Sequence, residues 1–195
     1  MKEMLRLTLT LTLFCLISGG LLAGVDALTR ERIAEVNSQR RQTALEAVLP
    51  GTNQYDNTPI SDAVTVRHLD RDWTFYTARK AGAFAGAAVE TASPNGYGGN
   101  IRLMFGFDSD GKSIGIAILE QKETPGLGAN IDTPGFRDRL AGNDLQKTNW
   151  RVKKDGGDID HITAATISSR AVTDAVREAL DAYLANRQAI ENGGN

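Results

Sequence analysis

Cysteine is almost missing from this chain: Cys15 is the only one in 195 residues. An intrachain disulfide is therefore impossible, and a thiolate-bound metal centre is excluded. Histidine is nearly as scarce. His68 and His161 stand far apart and in no metal-ligand spacing, which leaves little for a metal enzyme or for a Ser/His or Cys/His hydrolase. An excess of charge of one sign is lacking too, since 22 Lys and Arg face 24 Asp and Glu, for a formal net charge of −2. With no basic run and no interleaving of aromatic with basic residues, nothing points to a nucleic-acid partner. Internal repeats and low-complexity tracts are absent. What remains is a globular composition, 41% hydrophobic and 24% charged, with length for one ordinary domain plus an appendage.

The appendage is the one long apolar run. Residues 7–25, LTLTLTLFCLISGGLLAGV, carry no charge, and their number suits a bilayer span of about 20 residues. Threonine hydroxyls in such a helix can bond back to its own carbonyls, so they do not argue against a span. Two readings fit. One is a retained anchor; the other is a cleaved signal peptide with Lys2 and Arg6 before the apolar run and a cleavage site at residues 25–27. The run is longer than an ordinary signal-peptide core and leads into another helical pattern, which favours the anchor. Charge does not orient it, because Lys2 and Arg6 flank one end and Arg30, Arg32, Arg40 and Arg41 the other. The short tail before the run resembles that of a signal anchor, which favours the following domain outside without settling it.

Residues 29–49 read as an amphipathic helix with Ile33, Val36, Leu45, Val48 and Leu49 near one face, stopped by Pro50 and Gly51. A Thr/Asn/Asp-rich loop covers 52–62. Strand patterns follow at 73–77 and, more weakly, at 83–91. The clearest hairpin joins 101–107 to 113–119 through Asp108-Ser109-Asp110-Gly111, with Gly111 in a left-handed position. Glycine-rich loops flank it, NGYGGN at 95–100 and ETPGLGAN at 123–130. A short helix is expected at 134–141 and a second strand region after Trp150. The most regular element is the last helix, about 168–188, where Val172, Ala175, Val176, Ala179, Leu180, Tyr183 and Leu184 keep the i, i+3, i+4 spacing. The fold class is α+β: an antiparallel sheet with packed helices, preceded by one transmembrane helix. The expected divisions are a membrane anchor at 1–28, a helical linker and loop at 29–62, the domain at 63–190 and a flexible tail at 191–195.

Just before the last helix stands DHITAATISS, residues 160–169. Small side chains surround several hydroxyls there. The exposed amides and dipole of a helix N-terminus favour a phosphate, and small residues let a ligand approach the backbone. Ordinary N-capping by Thr166, Ser168 or Ser169 explains the same residues. No capping box supports it, because none of these hydroxyls has an acid or amide three positions on.

This stretch resembles the flavinylation motif of FMN-binding domains, Asp-x-x-(Ser/Thr)-Gly-Ala-Thr. Asp160, Thr163, Ala165 and Thr166 match it. Ala164 departs, standing where the family has glycine; its methyl group imposes a backbone constraint if that position needs positive φ. The family's His-Lys-Glu-Thr-Pro-Gly-Leu-Gly stretch is matched from Lys122 to Gly128, and its Gly-Tyr-Gly-Gly element by residues 96–99. In this order, around one hairpin, the three stretches are similar to the G subunits of Rnf-type electron transport complexes. The C subunits of the sodium-translocating NADH:quinone reductases, typically longer, are the second match.

The resemblance implies a covalent FMN, esterified through its phosphate to Thr166 by a flavin transferase. Thr163 and Ala165 would belong to the attachment motif. Thr124 would bond the flavin and Leu127 would make an apolar contact. Glu123 would orient its loop or bond a polar flavin edge, or else stand as a solvated loop acid, and Tyr97 would stack near the ring or pack in the core. Arg170 reads as a phosphate contact or a solvated face, and Trp73 and Trp150 as core. The implied protein is an electron carrier, not a catalyst by itself. Its partners would be the other members of a complex in the bacterial inner membrane, with the domain on the periplasmic side. Such a complex moves electrons between ferredoxin and NAD and couples this to ion transport. A flavin-free, membrane-tethered binding module is the contrasting reading.

Overall fold

A computed structural model describes residues 1–49, 55–56, 59 and 62–193. The helix stop expected at Pro50 and Gly51, most of the loop at 52–62 and the last two residues of the tail lie outside the described residues. The chain divides into two compact units, Met1–Arg40 and Arg41–Asn195.

The first unit is helical throughout, as the opening part of one continuous helix, α1 (Lys2–Val48). The helix is long and apolar enough to cross a bilayer. Its threonines behave as anticipated: Thr8, Thr10 and Thr12 each donate to the carbonyl four residues back, at 2.9 Å. These bonds satisfy the hydroxyls without a solvent partner.

The second unit is built on a five-stranded antiparallel sheet in simple sequential order. Its strands are β1 (Ala63–His68), β2 (Arg71–Lys80), β3 (Ala83–Gly96), β4 (Gly99–Asp108) and β5 (Ser113–Glu120). Each pairs with the next, as the short turns between them require. The expected DSDG turn joins β4 to β5. The Asp108 N–H bonds the Lys112 carbonyl at 2.9 Å, and Gly111 takes φ +76°. The GYGG stretch is itself a hairpin turn, not a loop ahead of one: Gly96 pairs with Gly99, leaving Tyr97 and Gly98 at the tip.

Alternation of side chains gives the sheet two different faces. Phe75, Val89, Phe105 and Ile116 lie in register across four strands on one face. Helix α3 (Thr166–Ala185) covers them, and Phe107 meets its Tyr183 with ring centroids 4.4 Å apart. Val172, Ala175, Val176, Ala179, Leu180 and Tyr183 are all buried there, whereas Leu184, assigned to the same face by periodicity, is exposed. Burial of each large side chain in this layer contributes about 1.5–3 kcal/mol. The other face carries smaller residues, Ala78, Ala88 and Ala117 beside Met104, and packs on Ala44, Leu45, Val48 and Leu49. Gly106 lets that helix end come close, since a Cβ there would overlap the Val48 carbonyl.

Beyond β5 the chain makes a 3-10 turn (Gly128–Asp132) and the one-turn helix α2 (Pro134–Arg137), shorter than the 134–141 expected. The strand expected after Trp150 is reduced to an isolated parallel bridge between Val152 and Ile159. After α3 the chain turns into α4 (Arg187–Glu191). Trp73 and Trp150 are both buried in the core.

Candidate functional site

Helix α3 begins at Thr166, and Ala165 occupies the capping position with no side-chain cap. The hydroxyls of Ser168 and Ser169 are engaged elsewhere. Ser169 braces the turn: its hydroxyl accepts from the Ile162 N–H at 3.0 Å and donates to the Ala165 carbonyl at 3.0 Å. The first intrahelical bond is Ser169 N–H to the Ala165 carbonyl at 3.1 Å. The amides of Thr166, Ile167 and Ser168 precede it and point out of the helix end, where a helix favours negative charge. Thr166 is half-buried, and its hydroxyl has no hydrogen-bond partner among the described residues.

The turn ahead of it is held from outside. The Arg139 guanidinium donates to the carbonyls of Asp160 and His161, at 3.1 and 2.9 Å, and to Gly135 at 2.9 Å. Lys153 bonds Asp160 at 2.9 Å and holds that carboxyl below the usual range. Ala164 adopts φ +63°, the left-handed region that a Cβ disfavours. The alanine that departs from the motif's glycine thus stands in a conformation that favours glycine.

A cavity of about 550 Å³ opens beside this turn, within the range of ligand pockets. The turn and α3 supply Ala164, Ala165, Thr166, Ile167 and Ser168 to its wall, and the ETPGLG loop supplies Glu123, Thr124, Leu127 and Gly128. Tyr97 comes from the β3–β4 turn. Six of the residues singled out from sequence, Tyr97, Glu123, Thr124, Leu127, Ala165 and Thr166, therefore meet at one place. Thr163 is exposed and is not part of the cavity wall. Ile167 joins it, although nothing in the sequence marked it beyond an apolar residue among hydroxyls at a helix start. Tyr97, 73% exposed, together with Leu127 and Ile167, gives the rim exposed apolar surface.

Glu123 is not a solvated loop acid. It is 6% exposed. One carboxylate oxygen accepts from the Gly98 N–H at 2.8 Å and the other from the Ser168 hydroxyl at 2.5 Å. Arg170 is taken up by Asp155, which it grips with two bonds of 2.6 and 2.9 Å, and its guanidinium holds that carboxyl below the usual range. No cluster of His, Cys, Asp and Glu fit for a metal occurs among the described residues.

The arrangement suits an FMN. A hydroxyl without a partner stands at a helix end whose free amides and dipole favour a phosphate, and an apolar-rimmed cavity of sufficient volume lies against it. Comparison with known proteins agrees. A family model described as FMN-binding domain matches residues 96–181, which contain every wall of the cavity, and one described as RnfG N-terminal region matches residues 1–48. Solved structures share the fold. NqrC of the Na(+)-translocating NADH-quinone reductase from Parabacteroides distasonis superposes with a TM-score of 0.55 at 19% identity, covering 80% of this chain and 94% of that one. The NqrC structure from Shewanella oneidensis gives 0.51 at 16% identity, over 71% and 72%. Within the second unit, residues 96–181 thus match the FMN-binding domain family, and the unit shares the fold of these structures.

Whole-chain relatives narrow the class. The G subunit of the ion-translocating oxidoreductase complex from Pseudomonas aeruginosa is 37% identical over 97% of this chain and 92% of its own length. The proteins of the same name from Aliivibrio fischeri and Vibrio cholerae are 36% and 35% identical, covering 98% and 96% of this chain and 95% and 93% of their own lengths. The chain belongs to this family, the G subunits of ion-translocating oxidoreductase complexes.

Proposed function

We propose that the chain is the membrane-anchored, FMN-carrying subunit of an ion-translocating oxidoreductase complex, with the FMN joined by a phosphoester to Thr166 Oγ1. The observation that carries the attachment is the Thr166 hydroxyl itself: it makes no hydrogen bond among the described residues, and Thr166, half-buried, lines the cavity in the first turn of α3. A flavin transferase would supply the FMN phosphoryl group from a flavin dinucleotide: the bond from Thr166 Oγ1 to phosphorus forms, the donor's diphosphate P–O bond breaks, the nucleoside monophosphate leaves with the hydroxyl proton, and the chain gains the mass of FMN less one water.

The amides of Thr166, Ile167 and Ser168 would face the phosphate. Tyr97, Leu127 and Ile167 would offer apolar contact to the ring and Thr124 a hydroxyl, with Ala165 and Thr163 completing the attachment turn. When bound, the isoalloxazine supplies the redox chemistry; the protein fixes its place and surroundings. A phosphoester also prevents loss of the carrier by dissociation. Helix α1 would be the single membrane span, with the domain on the periplasmic side of the inner membrane. The other subunits would pass electrons between ferredoxin and NAD through this and further centres, and the chain would turn over nothing alone.

Coexpression of the full chain with a flavin transferase tests the reading. The expected result is a fluorescent band in a denaturing gel and a mass increase of one FMN minus water on the peptide containing Thr166. Thr166→Ala should abolish both and Thr166→Ser should keep them. Persistent fluorescence in Thr166→Ala, or FMN released by acid precipitation, would refute the attachment.

A further inference from the structure

Three segments far apart in sequence form the cavity, and a single buried carboxylate touches all of them. Glu123 lies in the loop after β5. Its two oxygens reach across 25 residues to the Gly98 amide at the β3–β4 turn and across 45 residues to the Ser168 hydroxyl in the first turn of α3. Its own amide donates to the Gln121 side chain at 2.6 Å, which fixes the start of the loop. The glycines nearby make room for this contact. A Cβ on Gly128 would overlap Glu123 Oε2 and the Ser168 hydroxyl, and one on Gly96 would lie 2.7 Å from Glu123 Oε1. No Lys, Arg or His pairs with Glu123 among the described residues. The carboxylate is held by neutral donors alone.

We propose that Glu123 is the positioning residue of the site: a clasp that fixes the hairpin tip, the ETPGLG loop and the Thr166 turn against one another, acting through hydrogen-bond geometry and not through charge. The proposal rests on the FMN-carrier reading only for its ligand, because the clasp is complete in the chain itself. A buried acceptor accounts for residues that the attachment chemistry leaves unused. Gly98 supplies its amide, Ser168 its hydroxyl, and Gly128 the space between them. Removal of the carboxylate strands a buried hydroxyl and an amide, so the three segments separate.

Glutamine separates geometry from charge. Its carbonyl oxygen can still accept from Gly98, and its amide can donate to the Ser168 oxygen. The full chain, purified in detergent, would be examined as Glu123→Ala and Glu123→Gln, expressed without a flavin transferase for hydrogen exchange and with one for loading, where Thr166→Ala is the unloaded reference. Hydrogen exchange of the peptide spanning 95–100 reads the clasp without any flavin, and intact mass reads loading. Glu123→Ala should speed exchange there by about tenfold or more and lower loading. Glu123→Gln should restore both to near the wild-type level, and Thr166→Ala should carry no FMN. Wild-type exchange in Glu123→Ala would overturn the clasp, as would Glu123→Gln failing as badly as alanine. Flavin retained on Thr166→Ala would sink the attachment site and leave the clasp standing. If Glu123→Ala does not accumulate, Ser168→Ala removes one arm and should raise the same exchange; no rise would count against the proposal.

Discussion

Ala164 offers a direct measure of strain at the attachment turn. Its φ of +63° lies in the left-handed region, and its side chain is exposed, so replacement changes backbone preference with little change in packing. A Cβ in this conformation costs about 1–2 kcal/mol. Glycine removes that cost but adds freedom to the unfolded chain worth about 0.4–1 kcal/mol. Ala164→Gly should therefore stabilise the domain by about 0.5–1 kcal/mol, which for this size raises Tm by about 1–4 °C. Ala164→Val should act the other way and more strongly, since a β-branched residue tolerates positive φ least. Thermal melts of the full chain in detergent, followed by near-ultraviolet circular dichroism from the buried Trp150, would give the order glycine, alanine, valine from most to least stable. A valine variant as stable as wild type, or a glycine variant that melts lower, would show that the turn is not held in the left-handed region. The same order should appear in the extent of flavin attachment if the transferase needs the turn as it stands here.

Other outcomes follow from the packing and the charges. Gly106→Ala should cost about 1–3 kcal/mol in urea unfolding, because the added methyl meets the Val48 carbonyl and the helix end must move; an unchanged midpoint would refute that contact. Acid should weaken the fold. The carboxyls of Asp155 and Asp160 are held low by hydrogen bonds from Arg170 and Lys153. Their contribution is present above the unfolded value of about 3.9 and is lost as pH falls through the lower folded values. Melting temperatures measured below about pH 4 should thus fall less steeply in the double variant Asp155→Asn, Asp160→Asn than in wild type. Parallel acid limbs would exclude these pairs as the cause.

The parts legible from sequence are those governed by local rules. The β4–β5 hairpin showed in its DSDG turn and α3 in its 3.6-residue spacing, and both are present. β1 escaped because AVTVRH is short and only Val64 in it is fully buried. The segment after Trp150 has strand-like residues but turns back through Gly156 and Gly157, so it forms one bridge and no ladder. Leu184 fits the helix period, yet it is exposed next to the buried Tyr183 at the end of α3. The site residues were readable as motifs, and the cavity joins most of them. Glu123 was legible only in part: orienting its loop was among its readings, but only folding brings Gly98 and Ser168 to it. The motif's glycine at the position of Ala164 raised a positive φ there as a condition, and the backbone meets it.

The sequential order of the sheet has a bearing on assembly in time. Each strand needs only its immediate predecessor, so the sheet can grow one hairpin at a time as the chain leaves the ribosome, at low cost in loop closure. The cavity cannot be made in the same way. Its first wall is complete by Gly99 and its second by Gly128, but the third arrives with Ser168, and α3 needs to reach Ala185 before it covers the aromatic face. A nascent or truncated chain would therefore hold most of its strands and none of its binding capacity.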